Sequence, residues 1–255
     1  MKMFAASLCA GVALGGAALA AAPAIKPYLA AAIADPGRGD QAAVDARRHP
    51  AELLAFSGVK PGDKVVDLIP GSGYFTRVFS KAVGPKGRVF MLWPDEYARE
   101  AAGDVVASHA LEKDARYGNV TVVQQLAAAF ATPAPVDLVF TVQNYHDYPD
   151  KFMGKLDPVA FDRQVFKALK PGGVFLVVDH AAEAGSGMRD TDTLHRIDPA
   201  TVKSQVTSVG FVFEGESGVL RNPADDHKKL VFDKAIRGHT DQFVYRFRKP
   251  GDKRG

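Results

Sequence analysis

The chain has 255 residues, 47% of them hydrophobic and 24% charged, with a net charge of +3 at neutral pH. That balance excludes a disordered chain, a collagen-like chain and a coiled-coil rod. The small basic surplus gives no reason to expect nucleic acid as a partner, and the single cysteine, Cys9, excludes an internal disulfide framework.

Residues 1–22 read MKMFAASLCAGVALGGAALAAA. Lys2 precedes a short uncharged run of small and apolar residues. The run closes on Ala18-Leu19-Ala20 or, shifted, on Ala20-Ala21-Ala22. This is the layout of a cleaved secretory signal peptide, too short and glycine-rich for a spanning helix. Leu8 ahead of Cys9 does not fit a lipid-attachment site. The expectation is export to a periplasm-like compartment, with no stable membrane anchor after cleavage. Residues 23–48 read as an N-terminal arm with a short helix at 28–33. Residues 49–250 read as one domain, and 251–255 as a basic tail.

The domain alternates strand and helix signals. KVVDLI (64–69), behind the turn KPGD (60–63), reads as a buried strand. PGSG (70–73) breaks it. Phe75, Val78, Phe79 and Ala82 then follow at helical spacing over 74–83. GPKG (84–87) ends that helix, and 88–92 is a second strand. Strand patterns recur at 120–123, 136–142, 174–179, 211–213 and 242–248. Helices fall at 161–169 and 199–209, the latter with Asp198 as N-cap and Pro199 in its first turn. Strands separated by helices predict an α/β fold with a mostly parallel sheet of about seven strands, covered on both faces, its last strand antiparallel. In such sheets ligands bind beyond the carboxyl ends of the strands.

That rule singles out DLIPGSG (67–73). Glycines there permit a tight turn and close approach of a ligand, and the following helix offers free amides and a partial positive charge. VDLVF (136–140) supplies a fourth strand, and LKPGGVFLVVD (169–179) a turn and a fifth. Together, from about Glu52 to Asp179, these resemble the class I S-adenosylmethionine-dependent methyltransferase fold, a three-layer Rossmann-like architecture. LHRID (194–198), LRNP (220–223) and RGHTD (237–241) resemble a group of predicted methyltransferases that often carry signal peptides.

The resemblance implies S-adenosylmethionine as cofactor. It places Asp67, Pro70, Gly71, Ser72, Gly73, Tyr74 and Asn144 around it. The family's first loop glycine falls on Ile69. A β-branched residue resists positive φ, and Pro70 biases Ile69 toward extended geometry, so the turn is expected to differ in shape. The usual ribose-binding acid falls on Trp93, which either stacks on the adenine or packs in the core. Asp95 or Glu96 would then substitute for that acid. Gln125 stands where an acidic partner of the adenine amino group is usual, and its carbonyl can accept the same hydrogen bond.

Acceptor-side chemistry is expected after strands four and five. His146 is the first candidate base, because an unperturbed imidazole titrates near neutrality, with Asp147 to orient it and His180 second. The same residues read equally well as a hydrogen-bonded loop. His146, His180 and His195 with Asp179 or Asp198 would suit a divalent metal, but no tight ligand spacing supports this, and no metal is expected. RNPADDH (221–227) and RGHTD (237–241) read as a lid, an acceptor pocket or surface ion pairs. Three functions follow: an exported methyltransferase acting on a small-molecule or envelope acceptor, a ligand-binding module on the same fold, and a metal-dependent hydrolase.

Overall fold

A computed structural model describes residues 25–251. The signal-peptide residues and 252–255 of the basic tail lie outside them. In chain order the elements begin with helices α1 (Pro27–Ile33), α2 (Asp45–Arg48) and α3 (Pro50–Ser57). Then come β1 (Lys64–Leu68), α4 (Tyr74–Val83), β2 (Arg88–Pro94), α5 (Asp95–Glu100), α6 (Ala102–Glu112) and β3 (Val120–Gln125). The second half holds β4 (Val136–Val142), α7 (Pro158–Ala168), β5 (Leu169–His180), α8 (Thr191–Leu194), α9 (Pro199–Ser208), β6 (Val212–Ser217) and β7 (Gln242–Arg248).

The seven strands form one sheet in the order β3-β2-β1-β4-β5-β7-β6. The first five run parallel, and β7 inserts antiparallel between β5 and β6. Period-two alternation sends Val66 and Leu68 to one face, into a core with Phe90, Val139 and Phe175. Val65 goes to the other face with Val89, Leu138 and Phe79 of α4. Both faces are therefore buried beneath helices, which is the expected three-layer α/β fold.

Local signals explain the helix ends. Asp157 caps α7 by accepting from the Val159 amide, and Asp198 caps α9 by accepting from the Ala200 amide. The arm does not stand apart from the domain. Leu29 and Ala32 of α1 are buried in the core, and buried Arg38 forms a forked ion pair with Asp45. The basic residues before the C-terminus are not a free tail either. Arg246 and Arg248 pair with Glu214 across β6 and β7, and the Lys249 ammonium donates to the carbonyls of Phe166 and Leu169.

Candidate active site

The carboxyl ends of β1, β2, β4 and β5 open onto a cavity of about 610 Å³. One wall is the turn after β1. Ile69 takes φ 54°, the left-handed conformation expected only of glycine. Two bonds hold it there: its amide donates to the Leu92 carbonyl at 2.9 Å, and its carbonyl accepts from the Asn144 side chain at 3.2 Å. The expected extended geometry is thus overridden, at a strain cost of about 1–3 kcal/mol. The turn keeps a glycine-like path despite the β-branched residue.

Gly71 follows at φ 54°, with no atom within 4 Å of where a Cβ would stand. The Gly73 amide closes the turn on the Pro70 carbonyl, and Arg77 donates to the carbonyls of Ser72 and Gly73. Pro70, Gly71, Ser72 and Tyr74 line the cavity. Gly73 does not. Its role is packing, since a Cβ there would stand 2.9 Å from Leu111 Cδ2. Asp67 ends β1 buried, accepts from the Thr76 hydroxyl at 2.6 Å and borders the cavity. Burial lifts its carboxyl to about 6, against the Thr76 hydrogen bond and the Arg48 charge.

At the β2 end, Trp93 is fully buried and its indole N–H donates to Ser108 Oγ at 3.0 Å, yet its ring borders the cavity. It is a core residue that also walls the site. Asp95 accepts from Gln124 and Glu96 from the Ala127 amide, so neither carboxylate turns inward. Glu100 and Asp104, at the junction of α5 and α6, supply the acidic lining instead. Gln125 donates to the Ala131 carbonyl and does not reach the cavity. The expectation for Gln125 is corrected: its amide is committed to closing the loop after β3.

The opposite wall joins three segments distant in sequence. Tyr145–Asp147 forms a single 3-10 turn after β4, where Asn144 ties Ile69 to this side. Asp179, at the end of β5, accepts from both the amide and Nδ1 of His146, each at 2.8 Å. His146 Nε2 faces Asp147 Oδ1 at 3.2 Å and His195 Nδ1 at 3.3 Å. Burial opposes charge on His146, but the carboxylates of Asp179 and Asp147 outweigh it and lift the ring to about 10. That charged form donates a proton and does not accept one, whereas the general-base role expected of His146 needs the neutral ring. Burial pulls His180 down to about 4, and its Nδ1 meets the Thr240 hydroxyl at 2.7 Å. His180 is thus neutral at pH 7.

His195, also at positive φ (52°), completes this wall. Asp147, not His180, joins His146 and His195 in the tightest cluster, and Asp198 is spent capping α9. The polar late segment is largely exposed but is anchored from beneath by one buried ion pair. Buried Arg196 holds Asp225 at 2.9 Å and donates to the carbonyls of Ala181 and Lys229. This anchor lets Val231 and Phe232 reach over the cavity. Tyr97, Phe152 and Arg48 also line it, and sequence reading gave none of these a firm role.

The strand order, the glycine turn and a ligand-sized cavity at the strand tips define the class I S-adenosylmethionine-dependent methyltransferase fold. Solved structures agree. A SAM-dependent methyltransferase from Aquifex aeolicus is 18% identical, with a TM-score of 0.55, over 85% of this chain and 98% of that one. The [4+2]-cyclase SpnF is 13% identical, with a TM-score of 0.60, over 80% of this chain and 82% of its own. The family model for protein-L-isoaspartate(D-aspartate) O-methyltransferase matches residues 26–160, more than half of the chain. The chain belongs to that family and, by family and fold, is an S-adenosylmethionine-dependent methyltransferase. It is also 29% identical over 196 residues to the ubiquinone/menaquinone biosynthesis C-methyltransferase UbiE of Ectopseudomonas mendocina. That match covers 74% of this chain and spans 64% of the relative's length.

Proposed function

We propose that the protein is exported and transfers a methyl group from S-adenosylmethionine to a small acceptor carrying a carboxylate or phosphate. One observation carries the reading: a bare glycine turn and a cation-seeking carboxylate share one cavity with a polar, histidine-lined wall. The residues present fit the cofactor. Burial raises the pKa of Asp67 and the Arg48 charge only partly offsets it, so an amino-acid ammonium beside it would be stabilised. Gly71 leaves room for close approach, and Glu100 and Asp104 suit hydroxyl groups. The cofactor contributes a methyl on a sulfonium, poised for in-line displacement. The chain's task is then to hold the acceptor beside it and exclude water, which Tyr97, Phe152 and Phe232 are placed to do.

A second cavity of about 250 Å³, which shares Arg48, Val142, Gln143, His180 and Phe232 with the first, supports this acceptor class. Arg47, Arg48 and Arg237 line it, and among the described residues none of the three is in an ion pair. Three arginines on one cavity whose lining includes no carboxylate favour an anionic guest. The carboxylate acceptor in the family's name is of this chemistry, whereas the quinone precursors implied by the relative's name offer less to three arginines.

Trp93, the only tryptophan, reports directly on the cavity. Titration with S-adenosylhomocysteine should change its emission and release or absorb heat, and Gly71→Arg should abolish both. Unaltered emission and no heat would overturn the assignment. Export is tested separately by fusing a reporter with and without residues 1–22. Cytosolic retention of both fusions would sink that part.

A further inference from the structure

The geometry points to a divalent transition-metal site formed by His146 Nε2, Asp147 Oδ1 and His195 Nδ1, three residues that border the cavity. The three donor atoms are 3.2, 3.3 and 3.6 Å apart. Metal–ligand bonds of about 2.0–2.1 Å at tetrahedral angles place donors about 3.3 Å apart, so one ion above this triangle reaches all three. Two imidazoles and one carboxylate, with positions left open, is the donor set of catalytic zinc and of non-haem iron(II).

What stands behind the triangle strengthens the assignment. Asp179 Oδ1 holds His146 Nδ1 at 2.8 Å, which fixes the ring and leaves Nε2 as the coordinating nitrogen once the incoming ion displaces its proton. A carboxylate behind a metal-bound histidine is the usual support of such ligands. Asp179 is itself pinned by the amides of His146 and His180. His195 is presented by the strained end of α8, where its amide donates to the Thr191 carbonyl. Phe232 packs against the His195 ring at 5.1 Å, so the open side is flanked by apolar surface. An oxygen of the acceptor is the natural fourth ligand there. The site stands on donor geometry alone and does not require the methyl-transfer reading.

The experiment uses chelator-treated protein titrated with Co²⁺, followed by visible absorption and, in parallel with Zn²⁺, by calorimetry. One equivalent of metal should bind, with a cobalt band showing nitrogen and oxygen ligation. His195→Ala should remove the band, and Asp179→Asn should weaken uptake by about 10–100-fold. Melting curves confirm that each variant is folded, and S-adenosylhomocysteine binding is measured on the same samples. Wild-type protein that binds S-adenosylhomocysteine but takes up no Co²⁺ overturns the metal site alone. Uptake that His195→Ala leaves intact also overturns it. Metal uptake without S-adenosylhomocysteine binding supports the site and sinks the cofactor reading.

Discussion

The two walls of the cavity are built in different ways. The glycine-turn wall comes from one contiguous stretch, Asp67 to Tyr74, and its working parts are mainly backbone: a bare Gly71, a strained Ile69 and an unencumbered helix start. The histidine wall is assembled from Asn144–Asp147, Asp179–His180, His195 and the loop bearing Phe232, and its working parts are side chains. The first wall needs little beyond β1, α4 and the bonds that Leu92 and Asn144 make to Ile69. The second exists only after three strands, α8 and a long loop have docked. Damage to distant anchors should therefore fall on the histidine wall and spare the glycine turn.

The sharpest way to break this contrast is Arg196→Met. Arg196 is fully buried, and its loss leaves the carboxylate of Asp225 without its cation. Removing one partner of a buried pair costs about 3–5 kcal/mol. Chemical denaturation should show a loss of that size. Protein that remains folded should bind S-adenosylhomocysteine as before while losing the contact between Phe232 and His195. An equal loss of S-adenosylhomocysteine affinity would mean the two walls form one cooperative unit.

The next effect isolates the glycine wall. Asp67 has a pKa of about 6, raised by burial, with the Thr76 hydroxyl and the Arg48 charge acting against the rise. Above pH 6 it is ionised and ready to pair with an ammonium. Below pH 6 it carries a proton that must leave before the pair can form. Affinity for S-adenosylhomocysteine should therefore fall as pH drops through 6, by up to about tenfold per unit. Asp67→Asn should bind weakly at every pH and flatten the profile. A wild-type profile flat from pH 7 to 5 would remove Asp67 from the ammonium site.

The same contrast explains what the sequence revealed. Local order carries the glycine turn, so the sequence places Asp67, Pro70, Gly71, Ser72 and Tyr74 together at the strand tip, and all five border the cavity. Gly73 was legible as a glycine but not as a packing residue, because Leu111, which requires it, comes from α6. Ile69 misled because its neighbours argue for extended backbone, while the bonds that force it over come from Leu92 and Asn144. Gln125 reads as available in the sequence because its partner, the Ala131 carbonyl, is set by the fold of the loop after β3. On the histidine wall the residue types were visible but their states were not. His146 and His180 titrate near 6.5 in isolation, and burial with different partners drives them to about 10 and about 4. Glu100 and Asp104 are acids that follow the β2 strand, and only the α5–α6 junction turns them toward the cavity.

Among the described residues, Asn144 is the one side chain that bonds across the cavity from the histidine wall to the strained residue of the glycine turn. Its amide donates to the Ile69 and Val142 carbonyls, and its oxygen accepts from the Tyr97 hydroxyl at 3.3 Å. All three partners border the cavity or lie at its edge, so water can replace much of what Asn144→Ala removes. The expected loss of stability is therefore near the ordinary net value of a hydrogen bond, about 1 kcal/mol. Ile69 would keep its amide bond to Leu92 but lose the tie on its carbonyl, and part of the strain held at φ 54° would relax. S-adenosylhomocysteine affinity should then fall by about fivefold, equivalent to about 1 kcal/mol. Wild-type affinity in Asn144→Ala would show that Leu92 and the β1 strand alone hold the turn, and that the two walls are mechanically independent. A loss far above tenfold would show the opposite: the left-handed Ile69 would depend on a bond from the other side of the site.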